Sequence, residues 1–142
     1  MAGGEANEST PVVEQSIAHI GATVMGHHMF GGHQGPWDAA APWNGWWSAD
    51  ATFHFVTDGI ASALAQARQA AGGLNVAIGG GANVAQQFLA AGLVDEMEIN
   101  LVPILLGHGE RVFEGLADTL HGLELVRSVA APGVVHLKFA KR

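Results

Sequence analysis

The chain has no cysteine, which excludes disulfides, thiolate metal sites and thiol nucleophiles together. It is also short of positive charge: six Lys and Arg stand against thirteen Asp and Glu, for a formal net charge of −7. A generic binder of nucleic acid or anionic membrane draws most of its affinity from neutralising phosphates, so both classes are excluded. Long apolar runs are missing as well. The richest one is interrupted by Asn100 and Pro103, short of the ~18–20 residues that span a bilayer. Met1–Pro11 is polar and acidic, with no basic patch leading into an apolar stretch, and does not read as a signal peptide. Charged residues make up only 13% of the 142 positions and apolar ones 49%, which excludes disorder over most of the chain. The expectation is a cytoplasmic protein with a disordered tail over residues 1–10 and a single domain over residues 11–142. A domain of that length buries about 70% of its unfolded surface without staples.

Glycine is abundant instead, with twenty residues, roughly twice the usual share of ~7%. The glycines cluster at Gly31-Gly32, Gly72-Gly73, Gly79-Gly80-Gly81 and Gly107/Gly109, between segments of clear periodicity. Thr10-Pro11 reads as an N-cap followed by proline at the first helical position, with Val13, Ile17 and Ile20 at helical spacing and Gly21 just past the end. Ala22–Met25 reads as a buried strand and Thr52–Val56 as a strand alternating around Phe53 and Phe55. Asp58 is placed to cap a helix whose face is Ile60, Leu64, Ala67 and Ala71, closed by Gly72-Gly73. Val76–Ile78 reads as a strand, and Ala82–Ala91 as a helix with Val84, Phe88 and Ala91 on one side. Glu96–Leu106 suits a long strand kinked at Pro103. Leu123–Val129 and Val134–Phe139 form a hairpin whose Pro132-Gly133 centre is the type II turn signature. Val135, Leu137 and Phe139 then face the core, with His136 and Lys138 outward. Strands alternating with helices and closing on a hairpin predict an α/β fold with a mixed sheet, mostly parallel with an antiparallel C-terminal edge.

The chemical signal is the stretch Leu74–Leu89, where a buried strand passes through three glycines straight into a helix. Residues without a Cβ let a ligand approach the backbone, and the first helical amides present the positive end of the macrodipole. A diphosphate suits that place; a tight strand-to-helix turn with no ligand is the plain alternative. No Lys-Ser/Thr follows, so this is not a Walker loop, and it is not a G-x-G-x-x-G fingerprint. Thr23–Phe30 repeats the pattern, with Gly26 ending a strand. Two such corners at the carboxyl ends of parallel strands suit a dinucleotide along one sheet edge.

Four segments carry a family resemblance: ATVMGHHMFGG (22–32) with GPW (35–37), FHFVTDGI (53–60) with ALAQARQAAGG (63–73), VAIGGGANVAQQFLAAGLVDEMEINLVPILLGHGERVFEGL (76–116) and LELVRSVAAPGVVHLKF (123–139). Together they resemble the dihydrofolate-reductase-like superfamily, in the branch of the riboflavin-pathway reductase domain of the bifunctional deaminase–reductase. The resemblance implies a three-layer α/β/α sheet, NADPH as cofactor, hydride transfer to a small heterocyclic or carbonyl substrate, and a homodimer. By position it implies cofactor binding at Met25, Gly26, His27, Gly79, Gly80, Gly81, Ala82 and Asn83, and a substrate side at Trp47, Pro103, Leu105 and Gly107. Three departures accompany it. Two strands of the family sheet, one opening the fold and one between Trp47 and Phe53, have no counterpart. His27 replaces an expected arginine, and Met29 an expected threonine. The alternative these departures suggest is a cofactor-free dimeric binding or scaffold protein that keeps the fold without reductase activity.

The remaining candidates read plainly. His27, His28, His33 and His54, with Asp38 or Asp50, lack metal-ligand spacing, and no metal site is expected. The tryptophans Trp37, Trp43, Trp46 and Trp47 suit a lid over a flat ligand, a subunit contact or this chain's own core. Glu110 and Arg111 read as a surface pair, and Asp95-Glu96 as a solvated edge.

Overall fold

The computed structural model describes residues 5–27, 29, 51–116, 119–120 and 122–142. The four tryptophans, His28, His33, Asp38 and Asp50 lie outside the described residues, as does the start of the expected tail. Contacts divide the chain into two compact units, one of residues 21–85 and one of residues 1–20 with 86–142.

In the unit of residues 21–85, β1 (Ile20–Val24) and β2 (Asn75–Ile78) form a parallel two-stranded sheet. Parallel neighbours need a crossover, and the chain between them includes α2 (Ile60–Ala71). The expected face of α2 is its covered one, with Leu64 and Ala71 buried, and Gly72 ends it in the left-handed conformation. Asp58 does not cap it: Gly59 occupies the N-cap position, and no side chain bonds there. Gly21 is no helix terminator either. It lies inside β1, where a Cβ would fall 2.6 Å from the Ala71 carbonyl oxygen, so only glycine lets the end of α2 come this close. Residues 51–57 are not a strand. Alternation alone does not make one, because a strand needs a neighbour for its backbone groups, and no described strand pairs with these residues.

In the other unit, β3 (Glu96–Leu101), β4 (Leu123–Ala131) and β5 (Val134–Lys141) form an antiparallel sheet in the order β3-β5-β4. The β4–β5 hairpin pairs Ala131 with Val134, and Gly133 has φ +78°, the value the third residue of a type II turn requires. β3 stops five residues earlier than expected. Its register with β5 pairs Leu101 with Val135, one residue from the turn, so nothing remains to pair with Val102–Leu106. Pro103 lacks the N–H that a ladder would use in any case.

One face of this sheet is apolar. Met97, Ile99, Leu123 and Phe139, with Phe113 and Leu120, line a cavity of about 180 Å³. Phe88 and Leu89 of α3 (Ala82–Ala90) are buried, Phe88 at 1% exposure. The other face is polar and differs from expectation. His136 is not outward but the one buried polar residue among those described, 4% exposed. Its Nδ1 lies 2.6 Å from Asn100 Oδ1 and its Nε2 2.9 Å from Ser9 Oγ. An amide oxygen only accepts, so Nδ1 carries the proton and Nε2 accepts from the serine hydroxyl. Ser9 is there because α1 (Ser9–Ile17), starting a residue before the expected cap, packs on β4 and buries Val12. Beside this cluster Arg127 holds Glu98 through two bonds of 3.1 and 3.2 Å and also reaches Gln15 of α1. Lys138 holds Glu96 at 2.9 Å.

Phe88→Ala is expected to cost about 3–5 kcal/mol of stability by urea denaturation, because it empties a packed site.

Candidate dinucleotide-binding site

The site grows from the end of β2. Gly79 donates to the Val24 carbonyl at 2.8 Å, so the parallel pairing persists into the glycines. Gly26 then donates to the Gly80 carbonyl at 2.9 Å. That bond joins the corner after β1 to the corner after β2, the juxtaposition anticipated from the two strand-to-helix patterns. Each glycine has its own reason. A Cβ on Gly79 would lie 2.9 Å from Thr23 Cγ2, and one on Gly26 would lie 3.1 Å from Val84 Cγ2. Gly80 has φ +108°, a conformation L side chains rarely adopt. The Gly80–Gly81 peptide is cis.

What the corner offers a ligand is its amides. Ala85 donates to the Gly81 carbonyl at 3.1 Å, which opens α3. The N–H groups of Gly80, Gly81 and Ala82 bond to no described residue. Three donors at a helix N-terminus, in glycine-rich backbone, suit a diphosphate. Met25 and Gly26 are half-buried beside them, while His27 and Asn83 are exposed.

Met29 is a feature the sequence showed only as a replacement. Its amide closes a turn on the Gly26 carbonyl at 2.9 Å. Its thioether lies against the glycines: Cβ positions built on Gly80 and Gly81 would fall 3.5 Å from Met29 Cε and 3.7 Å from Met29 Cγ, respectively. At 52% exposure this unbranched side chain is free to swing out, so it shields the corner without filling it.

The charge available here is small. Residues 21–85 contain one Lys or Arg, Arg68, against Asp38, Asp50 and Asp58. The other five cations are all committed, Arg127 to Glu98, Lys138 to Glu96, Lys141 to Asp95, Arg142 to Glu124 and Arg111 to Glu114. Arg111 thus pairs one turn onward rather than with Glu110, and Asp95 and Glu96 are ion-paired instead of merely solvated. No group of three His, Cys, Asp or Glu among the described residues is placed to hold a metal ion. No described helix is long and apolar enough to cross a membrane.

Of the expected substrate-side residues, Trp47 lies outside the described residues. Pro103, Leu105 and Gly107 belong to the unit of residues 1–20 and 86–142 and are exposed on the extended segment after β3. The His136–Ser9–Asn100 cluster was missed because its members are 36 and 127 residues apart. The one local hint was Asn100 interrupting an apolar strand.

Parallel strands ending in joined glycine corners, with an antiparallel hairpin sheet, define a mixed α/β fold of the dihydrofolate-reductase-like class, with five strands among the described residues. The crystal structure of a candidate riboflavin biosynthesis protein from Shewanella sp. PV-4 matches with a TM-score of 0.64 at 20% identity. The match covers 100% of this chain and 84% of that one, and at such identity it shows the fold. The family model of the RibD C-terminal domain matches residues 39–137, and the chain belongs to that family of riboflavin-pathway reductase-like domains. No curated protein matches the chain.

The contact beneath the corner is open to a direct check. Gly79→Ala should destabilise by about 1–3 kcal/mol through overpacking against Thr23. In a double-mutant cycle by urea denaturation, Thr23→Ala should restore part of that loss.

Proposed function

We propose that the chain is a cytoplasmic NADPH-dependent reductase that transfers hydride to a small heterocyclic or carbonyl substrate. The observation that carries this reading is the set of amides at Gly80, Gly81 and Ala82 that bond to no described residue, at the start of α3 and beside the Gly26 corner. In a chain of the RibD C-terminal domain family these residues fit a dinucleotide's diphosphate. When bound, the nicotinamide supplies the hydride. The protein's part is to hold and orient. Gly80, Gly81 and Ala82 would donate to the diphosphate oxygens, and Met25, Gly26, His27 and Asn83 would border it. Met29, which lies over Gly80 and Gly81, would have to swing aside to admit it. Pro103, Leu105, Gly107 and Trp47 are the residues proposed for the substrate side. No nucleophile or acid–base pair is required of the chain for the hydride step itself.

Titrating NADPH into the protein should quench the tryptophan fluorescence saturably below millimolar cofactor. Absence of any interaction with either NADPH or NADH at millimolar concentration overturns the reading and leaves the cofactor-free scaffold. Gly80→Val should weaken binding by more than about tenfold, that is by at least 1.4 kcal/mol. Met29→Ala should tighten it several-fold with no loss of thermal stability, since it removes only an exposed cover.

The proposed assembly is a homodimer formed through the segment after β3. Leu101, Val102, Ile104, Leu105 and Leu106 are all half-exposed or more. Five such side chains in six residues exceed what isolated surface leucines explain, and patches of a few hundred Å² mark interaction surfaces. A twofold axis presents the patch twice, which approaches the ~1,200 Å² that a specific interface needs. β3 carries one strand partner among the described residues, and its other edge is the one proposed to pair with a second copy. The neighbouring acids Asp95, Glu96 and Glu98 are neutralised by their own cations, which limits repulsion between chains of net charge −7. Light scattering at micromolar protein should give twice the 14.7 kDa of one chain. Leu105→Glu should halve that mass without changing the circular dichroism; a monomeric wild type overturns the assembly.

A further inference from the structure

We infer that this chain does not recognise the 2′-phosphate of NADPH, and binds NADH at least as tightly. The inference rests on the reductase reading and refines it, because the diphosphate and the 2′-phosphate make different demands on a protein. A diphosphate is satisfied by backbone amides at a helix N-terminus, which the corner after β2 supplies. A 2′-phosphate is a monoester of about −1.5 to −2 charge, and its recognition calls for an arginine or lysine.

The chain has almost nothing of that kind to give. Five of its six cations are held by carboxylates at 2.9–3.5 Å, and all five lie beyond residue 110. Withdrawing Arg127 would strand the half-buried Glu98 carboxylate at real cost, while the four more exposed pairs each part at little cost. Residues 21–85, which contain the glycine corner, have Arg68 alone. Arg68 sits in the last turn of α2, at the end from which the chain turns into β2. The glycine corner lies at the opposite end of β2. The same 65 residues hold three aspartates, so their formal charge is −2, with histidines neutral. Beside Gly26 stands His27, whose imidazole lacks the fixed charge and two-pronged geometry of a guanidinium. An added dianion therefore finds, within these 65 residues, a negative formal charge and no Lys or Arg other than Arg68, whereas the 2′-hydroxyl of NADH asks for no cation.

The experiment titrates NADH and NADPH in parallel into the full chain and follows tryptophan quenching, with no substrate present. The expected result is an NADH dissociation constant equal to or below that of NADPH, with Arg68→Ala leaving their ratio unchanged. A reproducible preference for NADPH overturns the inference while the reductase reading stands. Loss of NADPH affinity alone in Arg68→Ala does the same, and names the residue responsible. If neither dinucleotide binds, the reductase reading falls and the inference falls with it.

Discussion

The bond from the Gly26 amide to the Gly80 carbonyl joins the ends of two parallel strands, and most of what is distinctive here depends on it. It holds the two corners at hydrogen-bond distance, which leaves no room for side chains on Gly26 and Gly79 and demands a positive φ at Gly80. The Gly80 carbonyl is taken by Gly26, and the amides of Gly80, Gly81 and Ala82 bond to no described residue. Unmade hydrogen bonds are expensive in a folded chain unless water or a ligand completes them.

The remainder of the chain spends its charge differently. In the unit of residues 1–20 and 86–142, cations and carboxylates tie β3, β4 and β5 together, and His136 anchors Ser9 of α1 to Asn100 of β3. Such half-buried polar contacts hold a register more firmly than they add stability, because desolvation offsets much of the attraction. The consequence reaches function through simple counting. A protein with six basic residues that commits five to its own carboxylates has little left with which to select a highly charged ligand.

Met29 and Leu105 show two ways in which apolar side chains stay outside a core. Met29 lies over bare glycine backbone, where a thioether fills space loosely and yields readily. Leu105 belongs to a run that left the sheet when β5 turned away at Gly133, so its neighbours have no strand to pack under.

By itself the sequence determined what depends on near neighbours along the chain. The helical face of Leu64 and Ala71, the hairpin turn at Pro132-Gly133, and the strand running through glycines into α3 all follow from local spacing and from the conformational demands of single residues. The family resemblance extended this to the class of fold. What depended on distant partners was decided only in the tertiary structure. Gly21 terminates no helix because Ala71, fifty residues on, needs its missing Cβ, and Thr52–Val56 alternates without forming a strand, because alternation does not supply a partner for the backbone. His136 turns inward because α1 supplies Ser9 on the face that alternation had assigned to water. A period-two pattern says which residues share a face, but whether that face meets solvent or a helix is set by an element elsewhere in the chain, which no local pattern contains.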